Sequence, residues 1–153
     1  MGRKPVFVNN SWDNLIPGLN RRLYDVAING LEVTPEHEQE VAFSIPYYHT
    51  YLQIAVRREN REIRSFEDLK DKTVGTLKQS YAYFMLKDLG CRDIRTYIVE
   101  PNAYDDLMNG RLDATLFDAP IAMYSAGFNP GVKFVGEPVG SMTYAIAVRK
   151  EDR

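Results

Sequence analysis

Tyr104-Asp-Asp-Leu-Met-Asn-Gly-Arg-Leu-Asp-Ala-Thr-Leu-Phe-Asp118 passes from a helical pattern through a polar turn into an apolar strand that stops on a carboxylate. Trp12-Asp-Asn-Leu-Ile-Pro-Gly-Leu-Asn-Arg-Arg-Leu-Tyr-Asp-Val-Ala-Ile-Asn29 follows the same grammar. Two such units read as equivalent parts of two related lobes. In open parallel sheets ligands bind beyond the carboxyl ends of the strands, so Asn29-Gly30 and Asp118 are expected to face each other across a cleft. Asp25 and Asp113, at the opposite strand ends, read as turn and capping residues.

Working outward, strands and helices take turns along the chain. Pro5–Asn9 alternates as a strand, Leu15, Ile16, Leu19 and Leu23 make one helical stripe, and Asp25–Asn29 resumes a strand. Thr34-Pro35-Glu36 is an N-cap with proline in the first turn of a short helix, which Ser44-Ile-Pro-Tyr-Tyr48 ends. Strand patterns at Tyr51–Val56, Lys72–Leu77, Ile94–Val99 and Asp113–Phe117 are separated by helical ones at Ser65–Leu69, Ser80–Leu89 and Asn102–Met108. A further helix opens at Asp118-Ala-Pro-Ile, and Lys133-Phe-Val and Tyr144–Val148 read as the last strands. The alternation predicts an α/β protein with parallel sheets covered by helices.

Composition narrows the function. The 153 residues carry 19 basic and 21 acidic side chains, a formal charge of -2 spread along the chain, with no basic stripe for a polyphosphate backbone. Nucleic acid is excluded as a partner on that ground. No apolar run reaches the roughly 18 residues of a membrane helix, and no signal-peptide segment is visible after Met1-Gly2-Arg3-Lys4. The single Cys91 reads as a structural thiol.

Five stretches taken in order carry a specific resemblance: Trp12–Leu19, Tyr24–Glu36, Val41–Tyr48, Val74–Leu77 and Gly110–Asp118. Together they are similar to the family 3 extracellular solute-binding proteins of polar amino acid ABC transporters, over nearly the whole chain. The resemblance implies a two-lobed periplasmic-binding-protein fold with a partial first lobe at 5–48, a complete second lobe at 52–138 and a returning first-lobe strand at 144–149. It also implies a chain truncated at both ends, since family members place a strand, a loop and a helix before Pro5 and further helices after Arg153. The implied role is capture of a small polar ligand, an amino acid or amine, for an ABC permease in the periplasm or outside the cell. Sensor input domains and cyclohexadienyl dehydratases on the same fold are the alternatives. An incomplete first lobe would leave Val6, Val8, Val26 and Ile28 uncovered, which predicts a homodimer through that lobe and weak ligand binding.

The resemblance assigns ligand contacts to Trp12, Asn29, Gly30, Glu32, His37, Ser80, Tyr81 and Asp118. Trp12 would lay its ring against the ligand, although it could equally be a packed helix-start residue. Asn29 and Gly30 would hold the ligand through loop polar groups, unless Gly30 serves only the turn. Ser80 caps a helix beginning at Tyr81, and the same free amides make an anion site for a carboxylate. Asp118 matches the acid that receives an α-ammonium, with an N-cap for the next helix as its other reading. His37 stands where amino-acid binders place an arginine for the α-carboxylate, and Glu32 where they place a hydroxyl. These two departures make the site more acidic than the family pattern, and His37 is otherwise a solvated residue of a polar helix.

No Gly-rich phosphate loop, nucleophile motif or metal-ligand cluster is present, so no cofactor is expected and the chain does not read as an enzyme. Glu32 and Asp118 as an acid and base pair are the only catalytic alternative. His49 is given no role.

Overall fold

The computed structural model describes residue 2 and residues 4–152. A 3-10 turn at Trp12–Asn14 leads into α1 (Leu15–Asn20), followed by α2 (Pro35–Glu40), β1 (Ala42–Phe43) and β2 (Tyr48–Arg57). Then come β3 (Thr73–Leu77), α3 (Tyr81–Leu89), β4 (Asp93–Tyr97), α4 (Glu100–Met108), β5 (Ala114–Asp118), α5 (Ala119–Ala126), β6 (Val132–Tyr144) and β7 (Ala147–Val148).

The larger sheet has the order β4-β3-β5-β2-β6. β3 runs parallel to both β4 and β5, as short helical crossovers require, while β2 lies antiparallel to β5 and β6. The sheet is therefore mixed rather than parallel throughout. β6 follows β5 through α5 and runs in its direction, whereas β2, inserted between them, has no helical crossover to either and runs antiparallel to both. Leu52, Ile54, Val56, Val74 and Leu116 bury one face against Leu86 of α3. Ala55, Leu77, Phe117 and Val132 bury the other with Ala103 and Leu107 of α4 and Ala122 of α5. Each fully buried leucine contributes about 1.5–3 kcal/mol relative to exposure. Gly75 is needed because a Cβ there would stand 2.5 Å from Leu112 Cδ1. Cys91 is half-buried with its thiol pushed up by burial, in keeping with a structural role.

A second, two-stranded sheet pairs β1 with β7 antiparallel. Leu15, Ile16, Leu19, Leu31 and Val41 pack around it with Ala27 and Ala147. The buried Arg149 ties this part together, donating to the Leu19 and Tyr24 carbonyls and to Asp25. Two strand expectations fail here. Pro5–Asn9 has no regular structure and is exposed. Asp25–Asn29 is reduced to one bridge, Ala27 with Ala147. Alternation alone does not make a strand without a neighbour whose N–H and C=O groups it can pair with.

The two sheets are joined by two chain segments that hydrogen-bond to each other. Ser44 donates to the Ile146 carbonyl and Tyr47 to that of Tyr144, and the ladder continues into β2 and β6 from Tyr48 with Tyr144 to Tyr51 with Ser141. Its register then shifts between Tyr51 and Leu52 and again before Ile54, beside Gly140 and Gly136, which both take positive φ. No described helix is long and apolar enough to cross a membrane.

Candidate ligand-binding site

A cavity of about 530 Å³ lies between the two sheets. Trp12, Asn29, Gly30 and Glu32 line it from the side of the smaller sheet, and Leu77, Ile98, Val99, Glu100, Phe117, Asp118, Pro120 and Ile121 from the side of the larger. Tyr48 and Tyr144 close the side where the connecting ladder runs, their rings stacked 5.6 Å apart. Five of the eight residues singled out from sequence thus share one cavity: Trp12, Asn29, Gly30, Glu32 and Asp118.

Local structure explains their placement. Asp118 ends β5 where the chain turns into α5, so its carboxylate projects beyond the carboxyl end of a buried strand. It makes no capping bond to α5. Instead it accepts a hydrogen bond from the Tyr144 hydroxyl. Gly30 takes φ +59, a left-handed conformation that lets the chain turn toward Tyr144. Glu32 is bridged through its backbone to Tyr144, and its side chain is only 1% exposed. Trp12 is half-buried and packs against the apolar clusters of both parts.

Ser80, Tyr81 and His37 do not line this cavity. Ser80 is buried and accepts from the Tyr83 amide at 3.2 Å while donating to the Leu77 carbonyl at 3.0 Å, which makes it the cap of α3. The Tyr81 amide donates to Glu32 Oε2 at 2.7 Å, so the anion site expected at the start of α3 holds a carboxylate of this same chain. His37 is not the solvated residue of a polar helix. It is buried, on the far side of Trp12, with the two rings 6.3 Å apart. Its Nδ1 lies 2.9 Å from the Glu32 carbonyl oxygen, which can only accept, so Nδ1 carries the proton. The histidine thereby steadies the backbone of Glu32 rather than the cavity.

The electrostatics are those of two acids pressed together. Burial first, and the neighbouring Asp118 second, hold the Glu32 carboxyl well above its ordinary range, against the lowering effect of the Tyr81 amide. Burial likewise pushes Asp118 up to about 6, opposed by the bond from Tyr144. Tyr144 is itself driven up by burial and by the Asp118 charge. Two close carboxylates in a desolvated site share a proton or bind a cation. Among the described residues no His, Cys, Asp and Glu cluster could hold a metal ion.

Sequence reasoning missed Tyr144, Glu100, Tyr48, Asn10 and Ser11 as lining residues. Tyr144 could have been found only through the register that sets it opposite Tyr48. Ile98 and Val99 were placed inside a strand, but β4 stops at Tyr97 and leaves them exposed at the cavity wall.

The profile of the bacterial extracellular solute-binding proteins, family 3, matches residues 1–153. The chain belongs to this family. Among family 3 relatives, ABC transporter arginine-binding protein 1 of Escherichia coli (strain K12) is 31% identical over 96% of this chain and 62% of its own length. L-cystine-binding protein TcyJ of the same organism is 32% identical over 91% of this chain and 53% of its own. The structure of holo ArgBP from T. maritima superposes with a TM-score of 0.89 at 32% identity, over 95% of this chain and 65% of that one. The chain thus spans between a half and two thirds of the length of these family 3 proteins, all three of which are named as binding proteins.

Proposed function

We propose that this chain is the solute-capturing part of an ABC-type uptake system, working in the periplasm or outside the cell with a membrane permease, and that it binds rather than transforms its ligand. The ligand is a small polar molecule bearing an amine. One observation carries this reading: the cavity between the two sheets presents the paired carboxylates of Glu32 and Asp118 beside the ring of Trp12. Desolvated carboxylates accept charge-assisted hydrogen bonds from an ammonium group, and an indole face suits either a cation or an aliphatic stem. Relatives named for arginine and cystine binding agree with an amine-bearing ligand.

Calorimetry of the protein against a panel of amino acids and amines tests the reading. Asp118→Asn removes the charge and keeps the shape, so it should cost about 1.5–3 kcal/mol, roughly ten- to a hundredfold in affinity. Unchanged affinity in that variant would remove Asp118 from the site.

A further inference from the structure

The free amides at the start of a helix are the natural receptors for a ligand carboxylate. In this protein that receptor is occupied from within. The Tyr81 amide of α3 donates to Glu32 Oε2 at 2.7 Å, and the Ser80 hydroxyl is committed to the Tyr83 amide. Glu32 is also held firmly in place. Its backbone bridges to Tyr144, its carbonyl accepts from His37 Nδ1, and the amides of Val33 and Ala145 bond to the Thr143 and Leu31 carbonyls on either side.

Among the described residues lining the cavity there is no lysine or arginine, so no cationic side chain there would compensate a second carboxylate. The titratable groups that face the Glu32 and Asp118 pair are Glu100 from α4, Tyr144 from β6 and, beyond it, Tyr47 from the connecting segment. All of these are acids, and the one imidazole in contact with Glu32, that of His37, is engaged with its backbone carbonyl and does not line the cavity. An amino acid would bring its carboxylate against these acids with only neutral donors such as Ser11, Asn29 and Tyr48 to receive it, a like-charge contact that a buried site resists. An amine would meet carboxylates as the charged groups of the lining, with Ile98, Val99, Pro120 and Ile121 to cover an aliphatic stem.

We infer that the ligand of this cavity is an organic amine without a carboxylate, and that Glu32 stands where the carboxylate of an amino acid would sit. The inference rests on the binding role proposed above and narrows its ligand class. Paired calorimetric titrations test it, cadaverine against lysine and agmatine against arginine. The wild-type protein should bind the amine of each pair at least about tenfold more tightly than the amino acid, a difference of about 1.4 kcal/mol. Glu32→Ser frees the α3 amide and should move the preference toward the amino acid by a similar factor. Glu32→Gln keeps the side-chain volume should the serine variant fail to fold. It should weaken amine binding without any gain for the amino acid. Lysine or arginine binding the wild type as tightly as its amine overturns this inference and leaves the cavity as the binding site. Binding of none of the four overturns both readings.

Discussion

At the residue scale the most consequential feature is a pair of acids that folding brings together against their own preference. A carboxyl whose pKa is raised in the folded state stabilises that state fully below its unfolded pKa, and the contribution is lost as pH rises through the folded value. Asp118, pushed up to about 6, and Glu32, held well above its ordinary range by burial, are such groups. The ligand-free protein should therefore melt at higher temperature as pH falls from about 7 to about 5. The exposed Glu62 and Asp68 and the half-buried Asp106 are held below the ordinary carboxyl range by their partners. They oppose this trend only as pH falls below about 4. Differential scanning calorimetry checks the trend, and Asp118→Asn should flatten it. A bound amine reverses the sign, because it displaces the shared proton, so affinity should strengthen as pH rises through about 6. Asp118 was legible as a cavity residue because a strand ending on a carboxylate is a local pattern, whereas Trp12 came only through the family resemblance. The burial of His37 was not legible. In Pro-Glu-His-Glu-Gln-Glu every residue after the proline is polar, and which one turns inward depends on Trp12 and Glu32, neither of which local periodicity can place.

At the scale of elements, the run from β3 to α5 was legible because each piece carries its own signal of periodicity, cap and turn. Thr34 and Ser80 cap α2 and α3 as their sequences indicate, and Gly90 ends α3 in the left-handed conformation at φ 74. Ser80 joins this regular structure to the site, since capping α3 also sets the direction of the Tyr81 amide that holds Glu32. Ser80→Ala should cost about 1 kcal/mol of stability in a chemical denaturation experiment. Pro5–Asn9 and Asp25–Asn29 read as strands and are not, because strand formation depends on a partner edge that alternation does not reveal. The antiparallel placement of β2 was equally hidden, since it follows from the long return of β6 and not from anything within Tyr48–Arg57.

At the scale of the whole molecule, apolar side chains remain in water near the smaller sheet. Val6 and Phe7 are 85% and 88% exposed, and Leu23, Val26 and Ile28 are each at least half exposed. Apolar surface of this kind gains roughly 25 cal/mol per Å² when covered. We propose that this chain associates with a second copy through this surface, and light scattering at micromolar concentration should report a dimer. Phe7→Asp together with Val26→Asp should return it to a monomer, whereas a wild-type chain that is already monomeric rejects the proposal. The two connections between the sheets have a different consequence. They are hydrogen-bonded to each other from Ser44 and Ile146 through Tyr51 and Ser141, so they act as one ribbon instead of two independent cords. Sliding one sheet past the other would break every rung of that ribbon, and twisting would shear it. Flexing across its width costs least, at the irregular rungs beside Gly140. The cavity walls are joined like the covers of a book along a single spine, on which Tyr48 and Tyr144 stand.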